Sequence, residues 1–354
     1  MDRYSNVLVF CTHPDNTGGV ANLYRTLKQR LPKEFFYFYV GSRKSRSGML
    51  FLPLLLFRFF LILCRNNIRG MIFNPSLGVK SLVRDSFFIT IAKFLSIRHV
   101  VFFHGWDSTL LKHPIWRRLF KFVTKGNCTI LVLAESFKSE ILQVSPSAHI
   151  EVFKTAIESP DPAQVLTKLG PNIDPVKHPL NILYLGRLEE NKGVLEVISA
   201  ARTLNDKNPG SVVLHIAGGG ALQGVIQGFS KQSSASFLRF HGYVRGEQKR
   251  KLLVDCDIFA LPTRHGEGLP VAVLEAMAYG LCVVAPLVGG LKCQVGGDVI
   301  KQLQVPSESE LFEALLDLQD NPDERMIRQQ RGFRMAKRFD AKLVAHDLVK
   351  ILDI

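Results

Sequence analysis

The sequence predicts an α/β chain of two parallel sheets, and three observations carry the prediction. Short apolar runs at residues 6–10, 36–41, 69–74 and 99–104 alternate with segments of helical character. That alternation is how a parallel sheet with helices on its faces reads, because each parallel crossover needs a helix. The pattern pauses at 159–180, where five prolines mark a linker. It resumes with apolar runs opening at Asn181, Val212, Phe237, Asp257 and Cys282. Two Rossmann-like halves about a central linker are therefore expected, with ligands at the carboxyl ends of the strands.

A length of 354 residues suits about two domains, and 47% hydrophobic residues supply two cores. The six cysteines, at 11, 64, 128, 256, 282 and 293, form no Cys-x-x-Cys pair. This argues for reduced thiols and a cytoplasmic chain rather than a disulfide or zinc framework. The start runs directly into the strand-like Val7–Cys11, with no secretory signal visible. Of the net charge of +14, nearly all lies in residues 1–160, which carry 22 Lys and Arg against 9 Asp and Glu. That half is expected to face a polyanion, an acidic membrane or a phosphorylated acceptor. Basicity alone also allows nucleic acid, but no recognised RNA or DNA motif is present, so no nucleic-acid partner is expected.

Residues 49–64 are the most apolar stretch, flanked by Arg43, Lys44 and Arg46 before and Arg65 and Arg69 after. About 16 residues interrupted by Pro53 and Arg58 fall short of the roughly 20 that span a bilayer. Two readings stay open: a core helix, or a helix lying in the interface of an anionic membrane. The segment from Ile115 to Lys125 mixes aromatic and basic residues and is expected on a surface that meets lipid or acceptor.

The most informative stretch runs from Ala260 to Gly280. An apolar strand enters a turn with Gly266 and Gly268, and a helix follows carrying Glu267 at its mouth and Glu275 two turns in. Glycines let backbone N–H groups approach a ligand, and the start of a helix favours an anion. A phosphate site between two hydroxyl-binding acids is the layout a sugar nucleotide needs. With Leu269, Pro270 and the later Gly289-Gly290, this stretch resembles the E-x7-E motif of the retaining glycosyltransferases of family 4. The resemblance implies a GT-B architecture, two Rossmann-like domains facing each other across a deep cleft. Its expected division is an acceptor domain at 1–160, a linker at 161–180, a nucleotide-sugar domain at 181–335, and a terminal helix at 336–354 that packs back on the first domain.

Other elements resemble the same family. Leu185-Gly186-Arg187-Leu188 with Lys192-Gly193 follows the first strand of the second half. Arg187 and Lys192 would take up the charge that develops on a departing diphosphate. Gly218, in Ala217–Gly220, marks a turn that passes close to the donor or is simply tight. Tyr243, in Phe240–Val244, stacks on a base or packs in the core. Gly18 and Gly19 resemble a loop that approaches donor phosphates and acceptor. His104 is expected near the donor sugar, with Asp107 as an acceptor-side alternative, while Glu135 is read as structural.

The sequence is read as holding no Asp-x-Asp and no plausible His/Asp cluster at ligand spacing, so the expectation is no metal and no cofactor. The implied reaction retains configuration at the anomeric carbon. Glu267 would position the donor sugar, Glu275 the ribose, and the leaving phosphate would take the acceptor's proton. The donor is expected to be a UDP- or GDP-sugar carrying a hexose, and the acceptor a lipid-linked or cell-surface saccharide of O-antigen, capsule or lipopolysaccharide-core type. The enzyme would sit peripherally at the inner face of the plasma membrane. Two departures stand out: Lys154–Glu158 replaces the family's Asn-Gly-Val-Asp, and Leu291-Lys292-Cys293 replaces Pro-Glu after Gly290. The competing readings are a sugar-nucleotide epimerase or hydrolase, and a catalytically silent sugar-nucleotide-binding subunit.

Overall fold

A computed structural model describes residues 6–16, 18–40, 52–75, 79–105, 108–126, 128–169, 179–264 and 268–352. The chain divides into two units: residues 1–157, 267–269 and 340–354 in the first, and 158–266 with 270–339 in the second.

The first unit runs β1 (Asn6–Cys11), α1 (Gly19–Leu27), β2 (Phe35–Tyr39), α2 (Leu52–Arg65), β3 (Ile68–Phe73) and α3 (Val79–Phe94). It continues with β4 (Arg98–Phe103), α4 (Pro114–Thr124), β5 (Cys128–Val132), α5 (Glu135–Val144) and β6 (His149–Val152). All six strands are parallel, in the order β2-β1-β3-β4-β5-β6. The chain steps one way from β1 to β2 and the other way ever after. Right-handed crossovers then put α1 on one face and α2 to α5 on the other. The packing agrees. Alternate strand residues Leu8, Phe10, Phe38, Met71, Phe73, Val101, Phe103, Ile130 and Val132 share one core with Phe59, Phe88, Phe120 and Phe137 of the four helices. Ring centroids of Phe10 lie 4.5–5.4 Å from those of Phe38, Phe59, Phe73 and Phe88, within the range of favourable aromatic pairs.

The second unit opens with α6 (Pro162–Leu169), β7 (Leu180–Leu185), α7 (Val194–Lys207), β8 (Val212–Ala217) and α8 (Gln223–Phe229). Next come β9 (Leu238–Gly242), α9 (Gly246–Asp255), β10 (Ile258–Ala260), α10 (Val271–Ala278) and β11 (Cys282–Pro286). It ends with α11 (Gly290–Gln294), β12 (Lys301–Leu303), α12 (Glu308–Asp320) and α13 (Pro322–Ala336). Its parallel sheet has the order β12-β11-β10-β7-β8-β9. Both Rossmann-like sheets expected from the apolar runs are present.

Two local expectations change. Part of the segment read as linker is α6: Val165 and Leu169, four apart on one face, are buried and meet Gly280. The terminal helix expected at 336–354 is shorter, because Asp340 caps α14 (Ala341–Ile351) by accepting the N–H of Lys342 at 2.8 Å. Helix α14 packs on α1 within the first unit. Ile157 pairs with Asp340, Lys154 meets Asp347 at 2.9 Å, and an Arg98 nitrogen donates to the carbonyl of Ile351. The departure at Lys154–Glu158 therefore has a structural use. Thr155, Ala156 and Ile157 are buried there, and Lys154 anchors the returning helix.

Candidate active site

The strand order locates the switch points. In the second sheet β7, β8 and β9 run to one side, and β10 returns to the other side of β7. The crevice for a ligand in such a sheet lies beyond the carboxyl ends of the two strands flanking that reversal. The loop after β7 carries Arg187 and Lys192, and the loop after β10 leads to Pro270 and α10.

These loops are bonded together. The N–H of Arg264 donates to the carbonyl of Asn191 at 2.9 Å. Gly193 has φ of 75°, and a Cβ there would fall on the carbonyl of Pro262, so a larger residue would force the two loops apart. On the other flank Gly186 donates to Ala217 at 3.1 Å and Leu188 to Gly219 at 3.1 Å. A Cβ on Gly218 would collide with the carbonyl oxygen of Gly186. The close approach that Gly218 permits is thus to the Arg187 loop. The phenol of the buried Tyr184 donates to the carbonyl of Arg187 at 2.7 Å, fixing the turn from below.

Within this frame Arg187 is exposed and pairs with Glu189 at 2.9 Å. Lys192 is only 5% exposed and has polar or charged contacts of its own. Glu275, on α10, accepts from Lys249 of α9 at 2.6 Å and is largely buried. Lys249 was not singled out in the sequence; it lies in an unremarkable charged helix, and only the fold brings it to Glu275. Pro270 is the N-cap of α10, and Leu269 is buried. Tyr243, at 56% exposure, is no core residue: Arg245 donates to its hydroxyl at 2.9 Å and its guanidinium lies 4.9 Å from the ring centroid. Lys292 is exposed on α11.

In the first sheet the reversal falls between β1 and β3. After β1 comes the loop to Gly18 and Gly19, and a Cβ on either would meet nothing within 4 Å. Arg25 of α1 holds that loop through the carbonyls of Pro14 and Asn16. After β3 stands Asn74, which sequence reasoning missed; its only signal was a polar residue ending the apolar run 69–74. Its Nδ2 donates to the carbonyl of Phe10 at 2.7 Å, which fixes the direction of the amide. Oδ1 then accepts from Tyr24 at 3.2 Å and from His104 Nε2 at 2.8 Å. His104 therefore carries its proton on Nε2 and offers Nδ1 as an acceptor. Burial pushes its pKa down to about 3, so the ring is neutral at physiological pH.

Gly268 groups with the first unit, and a Cβ on it would fall on the carbonyl oxygen of His104. This brings the residue after Glu267 against the His104 strand end. Glu267 itself, and Asp107, lie outside the described residues. Glu135 is exposed in the first turn of α5, where a carboxylate suits the helix dipole.

The reading that no Asp-x-Asp occurs needs correction, because Asp255-Cys256-Asp257 has that spacing. It lies at the amino end of β10, opposite the loops above, and Asp257 Oδ2 accepts the N–H of Asn181 at 2.9 Å. Its role there is to pin β10 to β7. Among the described residues no group of three or more His, Cys, Asp and Glu side chains is placed to hold a metal ion.

The model of a family described as glycosyl transferases group 1 matches residues 179–321, the segment that carries the bonded loops. The amylovoran biosynthesis glycosyltransferase AmsK of Erwinia amylovora is 26% identical over 89% of this chain and 78% of its own length. The putative colanic acid biosynthesis glycosyltransferase WcaL of Escherichia coli is 28% identical over 55% of this chain, which spans about half, 48%, of that relative. A crystal structure of Anabaena HepE in complex with UDP and glucose superposes with a TM-score of 0.70 at 15% identity, covering 99% of this chain and 100% of that one. The fold, two Rossmann-like domains, is the one these glycosyltransferase structures share, and the matched segment resembles glycosyl transferases group 1. Retention, donor and acceptor are a separate matter.

Proposed function

We propose that this chain transfers a hexose, with retention, from a nucleoside-diphosphate sugar to a growing saccharide that is lipid-linked or displayed at the cell surface. The observation that carries the reading is the bonding of the Arg187–Lys192 loop to the loop before α10 at the switch point of the second sheet. Arg187 and Lys192 supply cations for a leaving diphosphate, and the start of α10 adds unpaired N–H groups. Glu275 receives the ribose hydroxyls, and Glu267 positions the sugar. His104 Nδ1 accepts a hydrogen bond from a sugar hydroxyl without carrying charge. UDP is the first nucleotide to test, since HepE was crystallised with it, with GDP second. The two relatives are named for amylovoran and colanic acid biosynthesis, which favours a polysaccharide acceptor.

Saturation-transfer NMR against UDP- and GDP-sugars tests this. Signals from the ribose and hexose of one donor, lost in Glu275→Ala, are expected. Failure of the folded wild-type protein to bind any sugar nucleotide would overturn the reading and move a silent scaffold to the front.

A further inference from the structure

We propose that the outer surface of the helix layer α2, α3 and α4 docks onto an anionic lipid membrane. Helix α2 turns Leu52, Leu55, Leu56, Phe59, Ile62 and Leu63 to the core. Its opposite side carries Leu54, Phe57 and Phe60, with Phe57 59% and Phe60 61% exposed. Exposed Arg58 and Arg65 line one flank of that side. A helix apolar on both faces is normally buried on both; this one is buried on one. Helix α2 thus packs one side in the core and leaves the other exposed, while residues 49–51 lie outside the described chain.

Helix α4 repeats the design. Phe120 and Val123 are buried, whereas Ile115 and Phe122 are exposed beside Arg117, Arg118 and Lys121. Lys93 of α3 donates to the carbonyls of Phe122 and Lys125, and its amine lies 4.9 Å from the Phe122 ring centroid. This ties the ends of α3 and α4 together, next to Phe94, which is 87% exposed. The crossovers put all three helices on the same face of the sheet.

Charge decides the occupant. The three helices carry eight Lys and Arg and a single acidic residue, Asp85. Asp85 is buried and paired with Arg84 at 2.7 Å. A second copy meeting this face about a two-fold axis would set arginine against arginine. An anionic bilayer satisfies both components, with aromatic and leucine side chains at the headgroup boundary and cations on the headgroups. No helix among the described residues is long and apolar enough to cross a membrane. The 14 residues of α2 span about 21 Å, a length for lying in the interface plane.

The proposal stands apart from sugar transfer and is tested without substrate. The full chain is sedimented with vesicles of phosphatidylcholine alone, or with about one third phosphatidylglycerol, at low and high salt. Binding only to the anionic vesicles, weakened by salt, is expected. Phe57→Ser/Phe60→Ser and Arg58→Ser/Arg65→Ser should each lower the partition at least about tenfold. Arg334→Ser, on α13 of the second unit, should leave it unchanged. Circular dichroism confirms that each variant is folded. Wild type that ignores anionic vesicles, or binding unmoved by both double variants, would overturn the proposal. So would a dimer in solution that Phe57→Ser/Phe60→Ser dissociates in the absence of vesicle binding, which would make the face a self-interface.

Discussion

His104 Nε2 lies 2.8 Å from Asn74 Oδ1, and that one contact sets which ring nitrogen carries the proton. The amide cannot turn over without presenting its NH2 to His104 and leaving the Phe10 carbonyl without a donor. Asn74 is a positioning residue whose removal frees the ring to rotate and change tautomer. Asn74→Ala is expected to lower kcat about ten- to a hundredfold with little change in the donor KM. The pair Asn74→Ala/His104→Ala should do no worse than His104→Ala alone. Additive losses in that double-mutant cycle would show that the two act separately.

Stability should fall with acid over a defined window. His104 is held neutral with its pKa pushed down to about 3 by burial. His215 is held down to about 4, by burial first and then by His241 and Arg239. Unfolded, both protonate near 6.5. Between about pH 6.5 and 4 the unfolded chain binds protons that the fold refuses, so stability is full above that window and lost as pH drops through it. For His104 the limiting slope is about 1.4 kcal/mol per pH unit; the partly exposed His215 contributes less. Urea midpoints at pH 7 and pH 5 measure the loss, and His215→Asn should shrink it. Equal midpoints at both pH values would contradict the assignment.

Two glycine substitutions should separate fold from function. Gly218→Ala drives a methyl into the Gly186 carbonyl at a φ of 151°. It is expected to cost about 2–4 kcal/mol and to displace the Arg187 loop. Gly19→Ala meets nothing within 4 Å and should change the melting temperature little. If the Gly18–Gly19 backbone approaches a donor, activity falls nonetheless; thermal melts beside turnover read both effects.

The Glu275–Lys249 pair gives an asymmetric expectation. Glu275→Ala removes the proposed ribose acceptor and should weaken donor binding about ten- to a hundredfold, the range for a hydrogen bond to a charged group. Lys249→Ala leaves that acceptor in place and should weaken binding less than about tenfold. Titration calorimetry compares them, and equal losses would assign Glu275 a role in holding α9 to α10 instead.

Strand positions were legible because each apolar run of a parallel sheet is buried on both faces. The motif loops were legible because glycines and charged residues directly follow such runs. Helix α6 was hidden by prolines on either side of it, and Val165 with Leu169 made too short a period to recognise. Asn74 and Lys249 were hidden for another reason. Each acts through a partner 30 and 26 positions away, and neither spacing leaves a periodic trace. The apolar stretch at 49–64 was ambiguous in sequence because α2 has two apolar faces, and composition cannot say which one meets protein.

The pairing of Ile157 with Asp340 places the exit from the first unit beside the return to it. A ribosome therefore delivers β1 to β6 early, yet α14, which covers α1, emerges only after the entire second unit has been made. During that interval the helix surface awaiting α14 is open to solvent and to chaperones. Completion of the earlier half is timed by synthesis of the later one, and a chain ending before residue 340 would leave the first unit permanently unfinished.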